Sequence, residues 1–195
     1  MIKKSRIFEV FEDQKGRLFT SNLTDESVYG EKLIDKYREW DPNKSKLASL
    51  ILKGSPNIFI RKNDVILYLG ASTGTTASHV SDIVGDQGII FAVDLAPTVL
   101  RELTFLSFKR NNIVPILLDA SNSSELSKRI SQVDVIYQDI AQKSQVSIFL
   151  KNVDLFLKRN GYAILALKSR SIDVTKRPKE IYAQVKKELS EKLTI

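Results

Sequence analysis

The chain has 195 residues, 43% hydrophobic and 27% charged, which suits one α/β domain with a small appendage and excludes global disorder. Lysine and arginine number 30 against 23 acids, a formal charge of +7, and such a surplus favours polyanionic partners because phosphate contacts release counterions. No run of about 18 apolar residues is present to span a membrane, and 0 cysteines rule out a disulfide framework or a thiolate metal site; no metal is expected, and a cytoplasmic location is.

The basic start, Met1-Ile2-Lys3-Lys4-Ser5-Arg6, is not followed by an apolar signal-peptide core. Up to about Trp40 the short runs Ile7–Phe11 and Arg17–Thr20, punctuated by Gly16, Asn22 and Gly30, predict a small antiparallel β unit. A unit of that size would pack on its neighbour rather than stand alone, with Phe8, Phe11 and Phe19 in its core. A helix is expected from Asp41-Pro42, with Leu47, Leu50 and Ile51 at helical spacing and Gly54-Ser55-Pro56-Asn57 as its stop. Residues 1–54 therefore read as a β-rich N-terminal domain with a linking helix, and residues 55–195 as a second domain.

From about Ile58 strands and helices alternate. Val65–Leu69 is a continuous apolar run, as in a strand buried on both faces. Thr75–Val84 reads as a helix, Gly88–Asp94 as a strand, and Pro97–Lys109 as a helix with Leu100, Leu103 and Phe108 inward. Ile113–Leu118 is a strand, Ser124–Ile130 a short helix, Val133–Tyr137 a strand and Gln145–Leu157 a helix. Gly161–Leu167 is the last strand, and Pro178–Leu193 a helix with Ile181, Val185 and Leu189 on one stripe. This alternation predicts a doubly wound, mostly parallel Rossmann-like sheet.

In such sheets ligands bind outside the carboxyl ends of the strands, so the residues after each strand carry the chemistry. The first strand is followed by Gly70-Ala71-Ser72-Thr73-Gly74-Thr75-Thr76, where glycines allow a tight turn and a helix N-terminus offers free amides. The two glycines are four apart, which does not match the dinucleotide fingerprint G-x-G-x-x-G, and no Gly-Lys-Ser/Thr completes a P-loop. Asp94, roughly twenty residues on at the end of the second strand, can accept both hydroxyls of a ribose, which fits an adenosine-type cofactor without a 2′-phosphate. Asp119-Ala120 ends the third strand, where a carboxylate can accept from an adenine amino group. Asp139-Ile140-Ala141-Gln142 and Lys168-Ser169-Arg170 follow the next two strands. One acid at a strand end is usually just solvated; three at successive ends beside a glycine loop are a cofactor cleft.

The blocks Tyr68–Asp82, Asp134–Gln142 and Leu167–Thr175 closely resemble the fibrillarin family, its archaeal members above all, and Val28-Tyr29-Gly30-Glu31, Trp40-Asp41-Pro42 and Ser45-Lys46-Leu47-Ala48 are similar to its N-terminal half. The resemblance covers nearly the whole chain in order. It implies an S-adenosylmethionine-dependent RNA 2′-O-methyltransferase that acts on rRNA, and in archaea on some tRNA. It implies work inside a particle with a box C/D guide RNA, a Nop-domain scaffold protein and a kink-turn-binding protein. Carried over by position, it implies cofactor contacts at Thr75, Thr76, Asp94, Leu95, Asp119, Ala120, Asp139, Ile140, Ala141 and Gln142, with Gly70 in the loop, and a catalytic set of Lys46, Asp139 and Lys168.

That set has a physical rationale. A sulfonium is an activated leaving group, so positioning carries much of the reaction. The 2′-hydroxyl must still lose a proton, which Lys168 would accept or steer while Asp139 orients it and Lys46 holds RNA phosphate or polarises the hydroxyl. The family sheet ends in a further strand hairpin carrying a catalytic histidine, and that hairpin is expected to be absent here. The single histidine, His79, reads as structural. A catalytically weak assembly subunit that binds cofactor and scaffold is the competing reading, and a nicotinamide oxidoreductase is disfavoured by the glycine spacing. Lys3, Lys4, Arg6, Lys44, Lys46, Arg170, Lys176 and Arg177 are candidates for contact with RNA. No base-reading motif is present, in keeping with recognition through backbone and 2′-hydroxyl.

Overall fold

A computed structural model describes residues 1–195. The N-terminal segment forms β1 (Lys3–Lys4), β2 (Val10–Glu12), β3 (Leu18–Ser21), β4 (Leu33–Ile34) and β5 (Tyr37–Glu39), an antiparallel sheet in the order β1-β2-β3-β5-β4. Its β2–β3 turn is made by Asp13, whose carboxylate accepts from the amides of Lys15 and Arg17 at 2.9 and 3.0 Å, while Gly16 supplies φ of 74°. Phe11 and Phe19 are buried as expected, but Phe8 is 45% exposed: it lies in the turn before β2, where Val10 takes the inward position.

Helix α1 (Lys46–Leu52) starts later than Asp41-Pro42 implies. Asp41 instead folds its own turn, its carboxylate accepting from the Asn43 amide at 2.8 Å, and such local bonding competes with helix. Ser45 then caps α1. There follow β6 (Val65–Leu69), α2 (Thr75–Val84), β7 (Ile89–Asp94), α3 (Pro97–Lys109), β8 (Ile113–Leu117), α4 (Ser123–Leu126), β9 (Val133–Gln138), α5 (Gln145–Phe156), β10 (Leu157–Leu165), α6 (Ser169–Ile172) and α7 (Pro178–Ser190). No strand follows α7, and no helix is long and apolar enough to cross a membrane.

The second sheet is wholly parallel, in the order β10-β9-β6-β7-β8. The strand order reverses at β6, so β6 and β9 flank the switch point where a crevice opens. Two boundaries shift. β10 begins at Leu157, earlier than Gly161, because Leu157 pairs with Val133 before a register irregularity that resumes at Tyr162; a Cβ on Gly161 would lie 2.8 Å from the Asp134 carbonyl. The α4 helix stops at Leu126 rather than Ile130.

The inward stripe of α3 is also corrected. Leu103 and Leu106 are buried, Leu100 partly so, and Phe108 is 73% exposed. The helix carries apolar residues on two faces, and the glycine loop selects between them: a Cβ on Gly74 would meet Leu106 at 2.5 Å and Leu103 at 2.7 Å.

One apolar cluster joins Val10, Leu18 and Trp40 of the N-terminal segment to Leu47, Ile66, Tyr68, Val80 and Leu103. A second fills the opposite face of the parallel sheet under α4 and α5, and a third, Val146, Leu150, Ile181 and Val185, holds α7 on α5. A buried polar network rivets the N-terminal sheet to α2. Arg38 binds Glu31 at 2.6 Å and Asp82 at 2.9 Å, and Arg110 binds Asp82 at 2.6 Å. Thr20 donates to Asp82 at 2.7 Å, so its oxygen can only accept from His79 Nδ1, also 2.7 Å away. Tyr29 then donates to Nε2 at 2.7 Å, and the ring stacks on Trp40 with centroids 5.1 Å apart. Burial, then Arg38 and Arg110, holds His79 well below its usual value, so the ring is neutral. Its place is structural, as its sequence position suggested.

Candidate active site

The crevice at the switch point is a cleft of about 460 Å³ lined by Gly70, Ser72, Asp94, Leu95, Ala120, Asp139, Ile140, Ala141, Gln142 and Lys168, together with Val93, Ala96, Val99 and Leu118. Gly70 sits at φ of 83°, and a Cβ there would lie 2.6 Å from the Asp139 carbonyl oxygen. The close approach that requires this glycine is therefore to the next strand end, which the loop pulls into the cleft wall. The α2 N-terminus above the loop is entered through Gly74 at φ of 94° and has no side-chain cap, leaving its first amides open to an acceptor.

Asp94 is braced from both sides. One oxygen accepts from the Ser72 amide at 2.9 Å and the other from the Ala96 amide at 3.0 Å. Each oxygen keeps a free lone pair, so the carboxylate is aimed and can still accept two hydroxyls. Leu95 beside it is 54% exposed, an apolar shelf at the rim. Asp119 accepts from the Ser121 amide at 2.8 Å and from Gln142 Nε2 at 3.1 Å to each oxygen. The Ser121 amide and hydroxyl, with Gln142 adding to them, hold its carboxyl below the usual carboxylate range despite some opposing burial. Gln142 thus ties the third strand end to the fourth and closes the far end of the cleft.

Two residues named from the sequence take other positions. Thr75 lines the neighbouring groove with Tyr29, Glu102 and Phe105. Thr76 is buried and donates its hydroxyl to Ser45 at 3.0 Å. Its side chain couples the glycine loop to the cap of α1, and only its backbone remains for a ligand.

The three residues of the expected catalytic set converge. Lys46 Nζ lies 2.6 and 2.7 Å from the two oxygens of Asp139, and Lys168 Nζ lies 3.0 Å from Oδ1 and donates to the Asp139 carbonyl at 3.1 Å. The Lys46 side chain is 52% exposed, that of Lys168 31% and that of Asp139 15%, so the two cations stand at the mouth with the carboxylate behind them. Lys44, Arg170, Lys176 and Arg177 are exposed as well. Sequence reasoning missed Ser45, which accepts from the Ala48 amide and the Thr76 hydroxyl, Ser72, whose backbone amide braces the Asp94 carboxylate, and Gln145, which bonds backbone groups. A serine before an apolar helix is a recognisable cap; for Gln145 no signal marked it beyond its place at the start of α5.

The donor set fits an adenosine bearing an amino-acid tail: a braced acid for ribose, a second acid for an amino group, apolar walls for the base and uncapped helix amides for a carboxylate. The fibrillarin family model matches residues 2–194. The fibrillarin-like rRNA/tRNA 2′-O-methyltransferase of Thermococcus sibiricus is 47% identical over 191 residues, covering 95% of this chain and 84% of that protein. The crystal structure of Aeropyrum pernix fibrillarin with natively bound S-adenosyl-L-methionine superposes with a TM-score of 0.87 at 40% identity, covering 98% of this chain and 87% of that one. The fibrillarin chain of a fibrillarin/Nop5p complex superposes with a TM-score of 0.90 at 44% identity, covering 96% and 88%. With the family model spanning nearly every residue, the chain belongs to the fibrillarin family.

Proposed function

We propose that this protein methylates the ribose 2′-oxygen of rRNA and tRNA, using S-adenosylmethionine. The observation that carries the reading is the pairing of Lys46 and Lys168 on one carboxylate, Asp139, in the wall of a cleft fitted to an adenosine. When bound, the methyl donor supplies an activated methyl on a sulfonium. Asp94 and Asp119 hold the nucleoside and the α2 amides the carboxylate tail, which fixes the methyl relative to the lysines.

Asp139 holds Lys168 Nζ by a hydrogen bond to its carbonyl and an ion pair with its carboxylate, leaving Nζ able to meet a substrate hydroxyl. Lys168 orients the 2′-hydroxyl through an Nζ–H and steadies the charge that grows on the oxygen as it attacks, while the hydroxyl proton passes to water. Lys46, more exposed, holds the adjoining phosphate and polarises the same hydroxyl. The net charge of +7 supplies sequence-independent attraction to RNA, and the choice of target is left to others. A Nop-domain scaffold docks this protein, a kink-turn-binding protein completes the particle, and a box C/D guide RNA selects the nucleotide by base pairing.

A guided methylation assay with the reconstituted particle tests the reading. Transfer of labelled methyl to the single 2′-oxygen specified by the guide supports it. Cofactor binding without transfer would instead leave an assembly subunit.

A further inference from the structure

The parallel ladder between β9 and β10 ends before the catalytic lysine. Leu165 is the last residue in register, opposite Gln138, and the Ala166 amide makes the final bond, to the Gln138 carbonyl at 2.8 Å. Lys168 lies two residues further on, off the sheet, with φ of −98° and ψ of 85°. Its backbone is nevertheless held on both sides by one side chain. The Lys168 amide donates to Gln145 Oε1 at 2.9 Å, and Gln145 Nε2 donates to the Lys168 carbonyl at 3.1 Å. The same Nε2 donates to the Gln142 carbonyl at 3.1 Å. Gln145 is fully buried, and its own carbonyl accepts from the equally buried Gln138 Nε2 at 2.7 Å.

We infer that Gln145 is a positioning residue for methyl transfer: its amide imitates one more rung of the β-ladder and thereby sets Lys168 against Asp139. The inference rests on the reading of Lys168 given above. Only a carboxamide of this length can accept from an N–H and donate to two carbonyls at once. A carboxylate of the same shape keeps the first bond but turns an oxygen on two carbonyl oxygens, and an apolar side chain leaves a buried N–H unpaired. Either change lets the Lys168 backbone shift, and Nζ leaves its place on Asp139. Gln145 does not itself line the cleft; it acts through the Lys168 backbone, held on both sides, and its remaining side-chain bond is to the Gln142 carbonyl.

The test uses Gln145→Glu and Gln145→Met in the reconstituted particle, beside wild type and Lys168→Ala. Single-turnover methylation by Gln145→Glu is expected to fall on the order of 100-fold near pH 8, the scale of a small misplacement in an active site, with S-adenosylmethionine affinity changed only a few-fold. As pH drops toward about 6 the buried carboxyl takes up a proton and regains one donor, so its rate relative to wild type rises. The Met variant, which cannot titrate, loses rate without that recovery. Hydrogen exchange supplies a readout independent of turnover: the Lys168 amide loses protection in the Met variant, which removes its acceptor, while the β6–β9 ladder keeps its own. Wild-type rates in both variants, or a loss with parallel pH profiles and a Lys168 amide unchanged in the Met variant, would overturn the inference. If Lys168→Ala methylates normally, the role given to Lys168 falls and this inference with it; if Lys168→Ala is inactive and the Gln145 variants are not, only this inference falls.

Discussion

Lys46 donates to both carboxylate oxygens of Asp139, at 2.6 and 2.7 Å, across 93 residues of sequence. The contact joins the first turn of α1 to the end of β9, and Lys168 adds a second cation to the same acid. Asp139→Asn keeps the shape and removes the charge that holds the two ammonium groups together. Turnover is expected to fall by on the order of 100-fold or more. The melting temperature is expected to drop by less than about 4 °C, since half-exposed pairs contribute little to stability. Parallel methylation and calorimetric measurements check both halves; a large melting shift would mean the cluster is structural.

Gly70 and Gly16 share a positive φ, 83° and 74°, but only Gly70 has the Asp139 carbonyl 2.6 Å from its missing Cβ, while Gly16 has nothing within 4 Å. Gly16→Ala should therefore cost only conformational strain, about 1–2 kcal/mol. Gly70→Ala should cost that plus displacement of the Asp139 segment, and should weaken S-adenosylmethionine binding about tenfold or more, which is some 1.4 kcal/mol. Titration calorimetry on the two variants reads the difference, and equal affinities would place the cofactor away from this wall.

Asp82 is the shared acceptor of Arg38 and Arg110, and all three side chains are fully buried. Asp82→Ala strands Arg110 without its counter-charge and leaves Arg38 with Glu31 alone, and the expected loss is about 3–5 kcal/mol. Denaturant midpoints measure it. A loss near zero would show that solvent reaches the network.

His79 is kept neutral in the fold, its value depressed first by burial and then by Arg38 and Arg110. The unfolded chain takes up a proton below about pH 6.5 while the folded chain does not. The contribution of His79 is complete above that pH and declines as pH falls toward its depressed folded value, at up to about 1.4 kcal/mol per pH unit. Urea midpoints at pH 7.5 and 5.5, for wild type and His79→Gln, are expected to differ less at the lower pH. A constant difference would contradict a neutral buried ring.

The α3 stripe offers a packing test. Leu106→Ala removes a side chain that sits over Gly74 and should cost about 2–5 kcal/mol. Phe108→Ser alters a residue 73% exposed and should stay within about 0.5 kcal/mol. The reverse ranking in thermal melts would restore the inward Phe108 that periodicity alone suggested.

The sequence by itself determined the elements whose signals are local. Val65–Leu69, Thr75–Val84 and Pro97–Lys109 begin and end where the apolar runs, glycines and prolines place them, because backbone preference and burial act within a few residues. It also determined the order of acids at the strand ends, and so the kind of ligand the crevice takes. Tertiary structure alone decided the rest. Apolar residues on two faces of α3 left its phase open until Gly74 made room for Leu103 and Leu106. Thr76 carried a hydroxyl that could serve a ligand or a neighbour, and Ser45 claimed it. Composition left Lys46 one of many lysines, and only the family resemblance set it apart; the fold put Asp139 beside it. Gln145 was an ordinary helix start until the lysine backbone lay across its amide. Periodicity records which residues leave water; which polar group meets which depends on distances between segments far apart in the chain, and those exist only once the sheets have closed on their cores.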